Sequence, residues 1–283
     1  MKHQNILHFL ANQTPQQMMS FIIETEDDKV IVIDGGTAGD APHLLQTLRE
    51  ITGSEKPVVD AWFLTHSHLD HTGALIRLLQ ESPDAFAIRT AYYNFPSVQF
   101  LERNESIFAE DFRSFRRVQP LLASVAETIT QGDTYTVGAA RFDILYTTDP
   151  AFTNNAGNNS SAVIRMTLAG QTVLFLGDLG VEGGRKLLGL YGDALKSDFV
   201  EMAHHGQNGV ERDVYAAIAP RACLWCTPQW LWDNDAGKGY NTHTWQTVIV
   251  RGWMRELGVH CHFVNKDGDH HIALPCSFAP TAE

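Results

Sequence analysis

Seven residues, Thr65-His66-Ser67-His68-Leu69-Asp70-His71, constrain this chain more than any other stretch. They follow Val58-Val59-Asp60-Ala61-Trp62-Phe63-Leu64, an apolar segment that reads as a largely buried strand. If extended geometry persists past Leu64, His66, His68 and Asp70 project to one side, with His71 at the turn into the next element. A lone histidine is commonly a surface or core residue. Several metal-binding side chains packed together at the end of an apolar strand are hard to explain structurally. Imidazole and carboxylate together suit zinc, iron or manganese. The stretch reads as a metal site.

Other strand ends carry similar chemistry. Phe21–Glu26 and Val30–Asp34 flank an acidic pair and read as a hairpin that stops at Asp34-Gly35-Gly36. A helix is predicted over 41–52, with Leu44, Leu45 and Leu48 on one face, and another over 72–81. Region 91–125 is irregular and aromatic-rich; most of its rings read as core, and the segment is also placed to form a lid. Its Arg113, Arg116 and Arg117 read as a solvated helix face. Strands follow at 141–146, 161–168 and 171–176, the last delivering Gly177-Asp178. Ser197–Ala203 reads as a strand ending in His204-His205-Gly206. Adjacent side chains diverge in extended geometry, so only one of these two histidines is expected to ligate. Cys223 and Cys226 fall within a strand and read as structural thiols. Thr242 is expected to cap a helix running to Leu257, with Asn241 and His243 at an N-terminus that favours anions. A hairpin of 260–265 and 270–274 closes the chain.

The cluster H-x-H-x-D-H resembles the signature of the metallo-β-lactamase superfamily, and the order of strand-end Asp and His residues fits it along nearly the whole chain. The resemblance implies two divalent metal ions, zinc being expected and manganese or iron possible. His66 and His68 would hold the first, Asp70 and His71 the second, and Asp178 would bridge them. His204, the first residue past its strand, is taken as a further ligand to the second metal. Asp34 would orient ligands by hydrogen bonding. His205 would contact substrate or a neighbouring acid, and His205 or His243 would stabilise charge or protonate a leaving group. Many members supply another histidine between the cluster and the bridging aspartate; here none occurs between His71 and His204. Asn159 is the expected neighbour or weak ligand in its place. Asn158-Asn159-Ser160-Ser161, His204-His205-Gly206 and Asn241-Thr242-His243 resemble the soluble hydrolase domain of late-competence DNA-uptake proteins. The implied fold is α+β: a four-layer sandwich of two mixed β-sheets flanked by helices, in one domain over 1–283.

Composition narrows the partners. Lys and Arg number 21 against 33 acids, a net charge of −12, which disfavours a sequence-independent grip on nucleic acid or an anionic membrane. Hydrophobic residues reach 44%, enough for a sizeable core. With four cysteines, no apolar run of membrane-spanning length and no signal-peptide core, a cytoplasmic protein with reduced thiols is expected. The expected activity is hydrolysis by a metal-activated water. The expected substrate is a small or locally engaged phosphoester. A carboxylic ester, lactone, thioester or amide is the alternative, and a non-catalytic metal-binding module a third reading.

Overall fold

The computed structural model describes residues 4–279. In chain order the first half runs β1 (Asn5–Phe9), β2 (Ser20–Glu24), β3 (Val30–Asp34), α1 (Ala41–Thr52), β4 (Val58–Val59), β5 (Ala61–Phe63), α2 (Leu69–Glu81), β6 (Ala87–Ile88), β7 (Ala91–Tyr93), α3 (Val98–Asn104), α4 (Ala109–Val118) and β8 (Ala126–Thr128). The second runs β9 (Thr134–Val137), β10 (Ala140–Tyr146), β11 (Val163–Leu168), β12 (Gln171–Phe175), α5 (Val181–Tyr191), β13 (Phe199–Glu201), α6 (Arg212–Ile218), β14 (Ala222–Trp225), α7 (Gln229–Trp232), α8 (Thr247–Glu256), β15 (Cys261–Val264) and β16 (His270–Leu274).

Two mixed seven-stranded sheets result, ordered β16-β1-β2-β3-β5-β7-β8 and β15-β14-β13-β12-β11-β10-β9, with β4 and β6 as a separate pair. Strand alternation explains the layering. In β3, Ile31 and Ile33 join Phe21, Phe63, Phe142 and Phe175 between the sheets. Val30 and Val32 point the other way, to Leu44 and Leu48 of α1 and Leu75 of α2. Covered on both faces, β3 is buried throughout and carries no polar alternation. The second sheet repeats the device: Leu174, Val200 and Trp225 lie under Leu187 of α5, Val214 of α6 and Met254 of α8. The expected four-layer α+β sandwich is the fold.

Several expected elements have different bounds. The segment 58–64 is broken at Asp60, whose carboxylate turns back to accept from Val30 N at 3.1 Å, so β4 pairs with β6 while β5 enters the large sheet. Helix α2 starts at Leu69, not at 72, so Asp70 and His71 ride in its first turn and not on an extended strand. The 260–274 hairpin does not form. β15 joins the second sheet, whereas β16 crosses to pair antiparallel with β1 of the first, where Ile272 and Leu274 reach the inter-sheet core. Residues 241–243 precede α8 in an exposed loop, and Thr242 caps nothing because the helix begins at Thr247. Cys223 and Cys226 face opposite cores and are free thiols.

Candidate metal centre

The centre forms where three strand ends of the two sheets meet. β5 leads through Leu64 and Thr65 into His66, Ser67 and His68, then into α2. β12 leads into Gly177-Asp178; Gly177 takes φ +55, and a Cβ there would lie 3.0 Å from Thr65 Cβ, so the two strand ends meet closely. β13 leads into His204 and His205, which both adopt positive φ, 53° and 57°. Such backbone is uncommon for histidine and persists only when surroundings hold it. Here His204 N donates to Gly177 O (2.9 Å), and Thr227 Oγ1 donates to His205 O (2.6 Å).

Two groups of potential ligands emerge: Asp70, His71, Asp178 and His205, and His66, His68 and Asp178. Asp178 belongs to both. Its Oδ1 is 3.1 Å from His71 Nε2, and its Oδ2 is 3.5 Å from His205 Nε2 and 3.8 Å from His66 Nε2. His205 Nε2 also lies 3.2 Å from Asp70 Oδ2. His66 Nε2 faces His68 Nδ1 at 3.1 Å. Buried His71 Nε2, His205 Nε2 and Asp178 Oδ1 make no well-aligned hydrogen bond, their polar neighbours being the Asp178 and Asp70 carboxylates and these imidazoles themselves at 3.1–3.5 Å. Stranded polar atoms are costly, and a cation held between them would satisfy them together. This mixed imidazole and carboxylate set fits zinc, manganese or iron.

Electrostatics divides the histidines. Burial and the neighbouring His71 cation hold His66 well below the ordinary value, and burial takes His68 down to about 4. Burial alone would lower His71 and His205 too. The carboxylates of Asp178 and Asp34 instead raise His71 well above its ordinary value, and Asp178 and Asp70 raise His205 to about 10. Against their own burial, His205 and His71 hold Asp70 and Asp178 well below the usual carboxylate range.

A second layer orients these groups. Asp34 Oδ2 accepts from His71 Nδ1 and Thr65 Oγ1, each at 2.7 Å, and its Oδ1 accepts from Thr65 N at 2.8 Å. Asp34 thus ties the His71 ring to the Thr65 backbone and hydroxyl. Glu201, not singled out in the sequence, accepts from Leu176 N (3.0 Å) and Gly177 N (2.9 Å), bracing the turn before Asp178. Burial, with help from Asp178, pushes its carboxyl up to about 8. The available signal was a lone acid inside the apolar run Phe199-Val200-Glu201-Met202. Gln17 Nε2 donates to Asp70 Oδ2 at 3.1 Å, and Gln207 Nε2 donates to Gln17 Oε1 at 3.2 Å.

Three expected assignments change. His205, not His204, joins the ligand cluster: the left-handed turn swings His204 outward, its Nε2 3.8 Å from Asp178 Oδ2 and 3.4 Å from Asn158 Nδ2. Asn159 is consumed structurally. It donates to Asn154 O and Glu182 Oε2 and accepts from Gly183 N, so its neighbour Asn158 faces the site instead. His243 lies outside the cluster, in the exposed loop before α8, with its ring 3.6 Å from that of Trp245.

Region 91–125 covers one side of the centre through α3 and α4. Phe108 and Phe112 pack on the His68 ring, at 4.7 and 5.6 Å between centroids, and Asp111 accepts from Leu69 N at the start of α2. The arginines stay on the outer face, Arg113 with Glu102 and Arg117 with Glu110. Beside α4 a cleft of about 820 Å³ reaches Asp70, walled by Gln17, Leu69, Phe108, Asp111 and Trp230.

The family model described as the metallo-beta-lactamase superfamily matches residues 14–220. The chain belongs to that superfamily. Among curated superfamily relatives, it is 30% identical over 104 residues to Competence protein ComA of Neisseria gonorrhoeae, covering 36% of this chain and 14% of ComA. It is 27% identical over 126 residues to a hydroxyacylglutathione hydrolase of Idiomarina loihiensis, covering 44% of this chain and 36% of that one. ComE operon protein 3 of Bacillus subtilis matches at 27% over 157 residues, 53% of this chain and 17% of the relative. The matches thus span only a minor part of those proteins. The solved fold of YhfI from Bacillus subtilis aligns with a TM-score of 0.56 at 13% identity, covering 94% of this chain and 99% of YhfI. CmlA, a diiron beta-hydroxylase from Streptomyces venezuelae, aligns at 0.56 and 12%, covering 97% and 55%. Among the described residues no helix is long and apolar enough to cross a membrane.

Proposed function

We propose that this chain is a metal-dependent hydrolase, with Asp70, His71, Asp178 and His205 around one divalent ion and His66, His68 and Asp178 around another. The observation that carries the reading is the membership of Asp178 in both ligand groups. When bound, such a pair supplies Lewis acidity, activating water and drawing charge from the attacked group. The chain's residues do the remainder. Asp34 and Thr65 fix the ring orientations of His71 and His66, so their Nε2 lone pairs converge. Gln17 holds Asp70 at the head of the cleft. In this reading His204, whose Nε2 lies 3.8 Å from Asp178 Oδ2 at the edge of the centre, takes over the leaving-group role expected of His205 or His243.

A small phosphoester suits this centre, because two cations can balance a phosphoryl group without further basic residues. The cleft presents Asp70, Asp111 and Glu81 against one cation, Arg77, which is already bound to Glu81 at 2.8 Å. That lining supports a compact substrate over a long polyanion. It also supports the second reading, a carboxylic ester or thioester with an uncharged body. Turnover of a phosphodiester and of a thioester, each with and without chelator, tests both. Chelator-sensitive phosphodiester cleavage supports the first reading, and thioester cleavage alone replaces it with the second. No turnover of either, with fewer than two ions bound per chain, overturns the hydrolase.

A further inference from the structure

Each histidine of the two ligand groups presents one ring nitrogen inward and another away. The outward nitrogens of three have partners: His71 donates a hydrogen bond to Asp34 at 2.7 Å, His205 to the Cys226 carbonyl at 3.0 Å, and His66 to the Thr65 hydroxyl at 3.2 Å. His68 differs. Its Nδ1 is the inward atom, facing His66 Nε2, and its outward Nε2 is buried without a hydrogen-bond partner. A ligating imidazole ordinarily donates its outward N–H to an acceptor, which fixes the tautomer and raises the basicity of the ligating nitrogen.

A carboxylate stands beside this nitrogen. A methyl group on Gly157 would lie 2.6 Å from His68 Nε2 and 2.6 Å from Glu105 Oε2, so both atoms border the same missing side chain. Glu105 follows α3, and its Oε2 accepts from Gly157 N. The same insertion packs Phe108 and Phe112 on the His68 ring. No direct hydrogen bond joins Glu105 to His68 in this geometry; a rotated Glu105 side chain or a bridging water would make the link.

We propose that Glu105 is the positioning carboxylate of His68, accepting a hydrogen bond from its Nε2–H directly or through one water. The insertion thereby sets the affinity of the His66, His68 and Asp178 site. The inference rests on the metal reading above. Gly157 is needed as glycine for space alone, since its φ of −62° and ψ of −55° suit alanine.

Two variants test it: Glu105→Gln, which keeps an acceptor for Gly157 N but loses the charge, and Gly157→Ala, which drives a methyl between the two groups. Cobalt(II) is titrated into metal-free wild type and both variants, with affinities taken by chelator competition. The expected result is a loss of ~10–100-fold at one of two sites in both variants, with the other site unchanged. The melting temperature in chelator should match wild type for Glu105→Gln, whereas Gly157→Ala, with its crowded methyl, is read by the loss of cobalt affinity at one site alone. Wild-type affinity at both sites in Glu105→Gln overturns the positioning role, as does a lower metal-free melting temperature with unaltered cobalt binding. A wild type that takes fewer than two ions overturns the metal reading itself, and this inference with it.

Discussion

His71 and His205 sit among Asp34, Asp70 and Asp178, and in the metal-free protein these acids keep both imidazoles charged at neutral pH. An incoming ion must displace those protons, whereas His68, held near 4, offers a bare nitrogen. Since the raised value for His205 is about 10, affinity at its site should climb throughout the range below that pH, by about tenfold per unit for each proton displaced. Calorimetry at pH 7 in buffers of different ionisation enthalpy reads the release, and an enthalpy independent of buffer would contradict it. At this scale the sequence is legible where ligands are contiguous. His66, His68, Asp70 and His71 are named by their spacing, but the choice between His204 and His205 turns on two left-handed residues that no periodicity announces. Glu105 is harder still: it lies 37 positions beyond His68 in an aromatic-rich segment, and only folding brings it to that ring.

Among the elements, α2 bears most directly on the centre, since its first turn carries Asp70 and His71. It lies so close to the loop after β3 that a Cβ on Gly73 would fall 2.6 Å from Ala38 N and 3.0 Å from the Thr37 carbonyl carbon. Gly73→Ala should improve helix propensity by about 1 kcal/mol yet lose more to the backbone shift it forces, for a net destabilisation of about 1–2 kcal/mol. Urea unfolding would show a lower midpoint, and metal affinity should fall as Asp70 and His71 move; a raised midpoint would refute the close packing. Helices with a clean apolar stripe were readable, α1 to the residue. Strand lengths were less so. The apolar runs of 58–64 and 197–203 continue past the hydrogen-bonded ladder, because burial at a strand end demands the same residue types as burial within it.

For the whole molecule, the centre draws Asp70 and His71 from the first half of the chain and Asp178 and His205 from the second. An ion bound there ties the two sheets at their ends and stabilises only the folded state. At a hundredfold excess over its dissociation constant it contributes about 2.7 kcal/mol, so chelation should lower the melting temperature by ~5–10 °C. A melting curve indifferent to chelator and to added zinc would mean that no ion is held between the halves. The crossing of β16 to the first sheet has a kinetic consequence. With Asn5 paired to Leu274, β1 receives one of its two neighbours only after every other strand of both sheets has been made. Until then β1 presents an open edge during synthesis, a site where a nascent chain can pair with the wrong partner. Closing so distant a contact is slow, so the last step in folding this sandwich should be the stitching of β16 onto the otherwise assembled sheets.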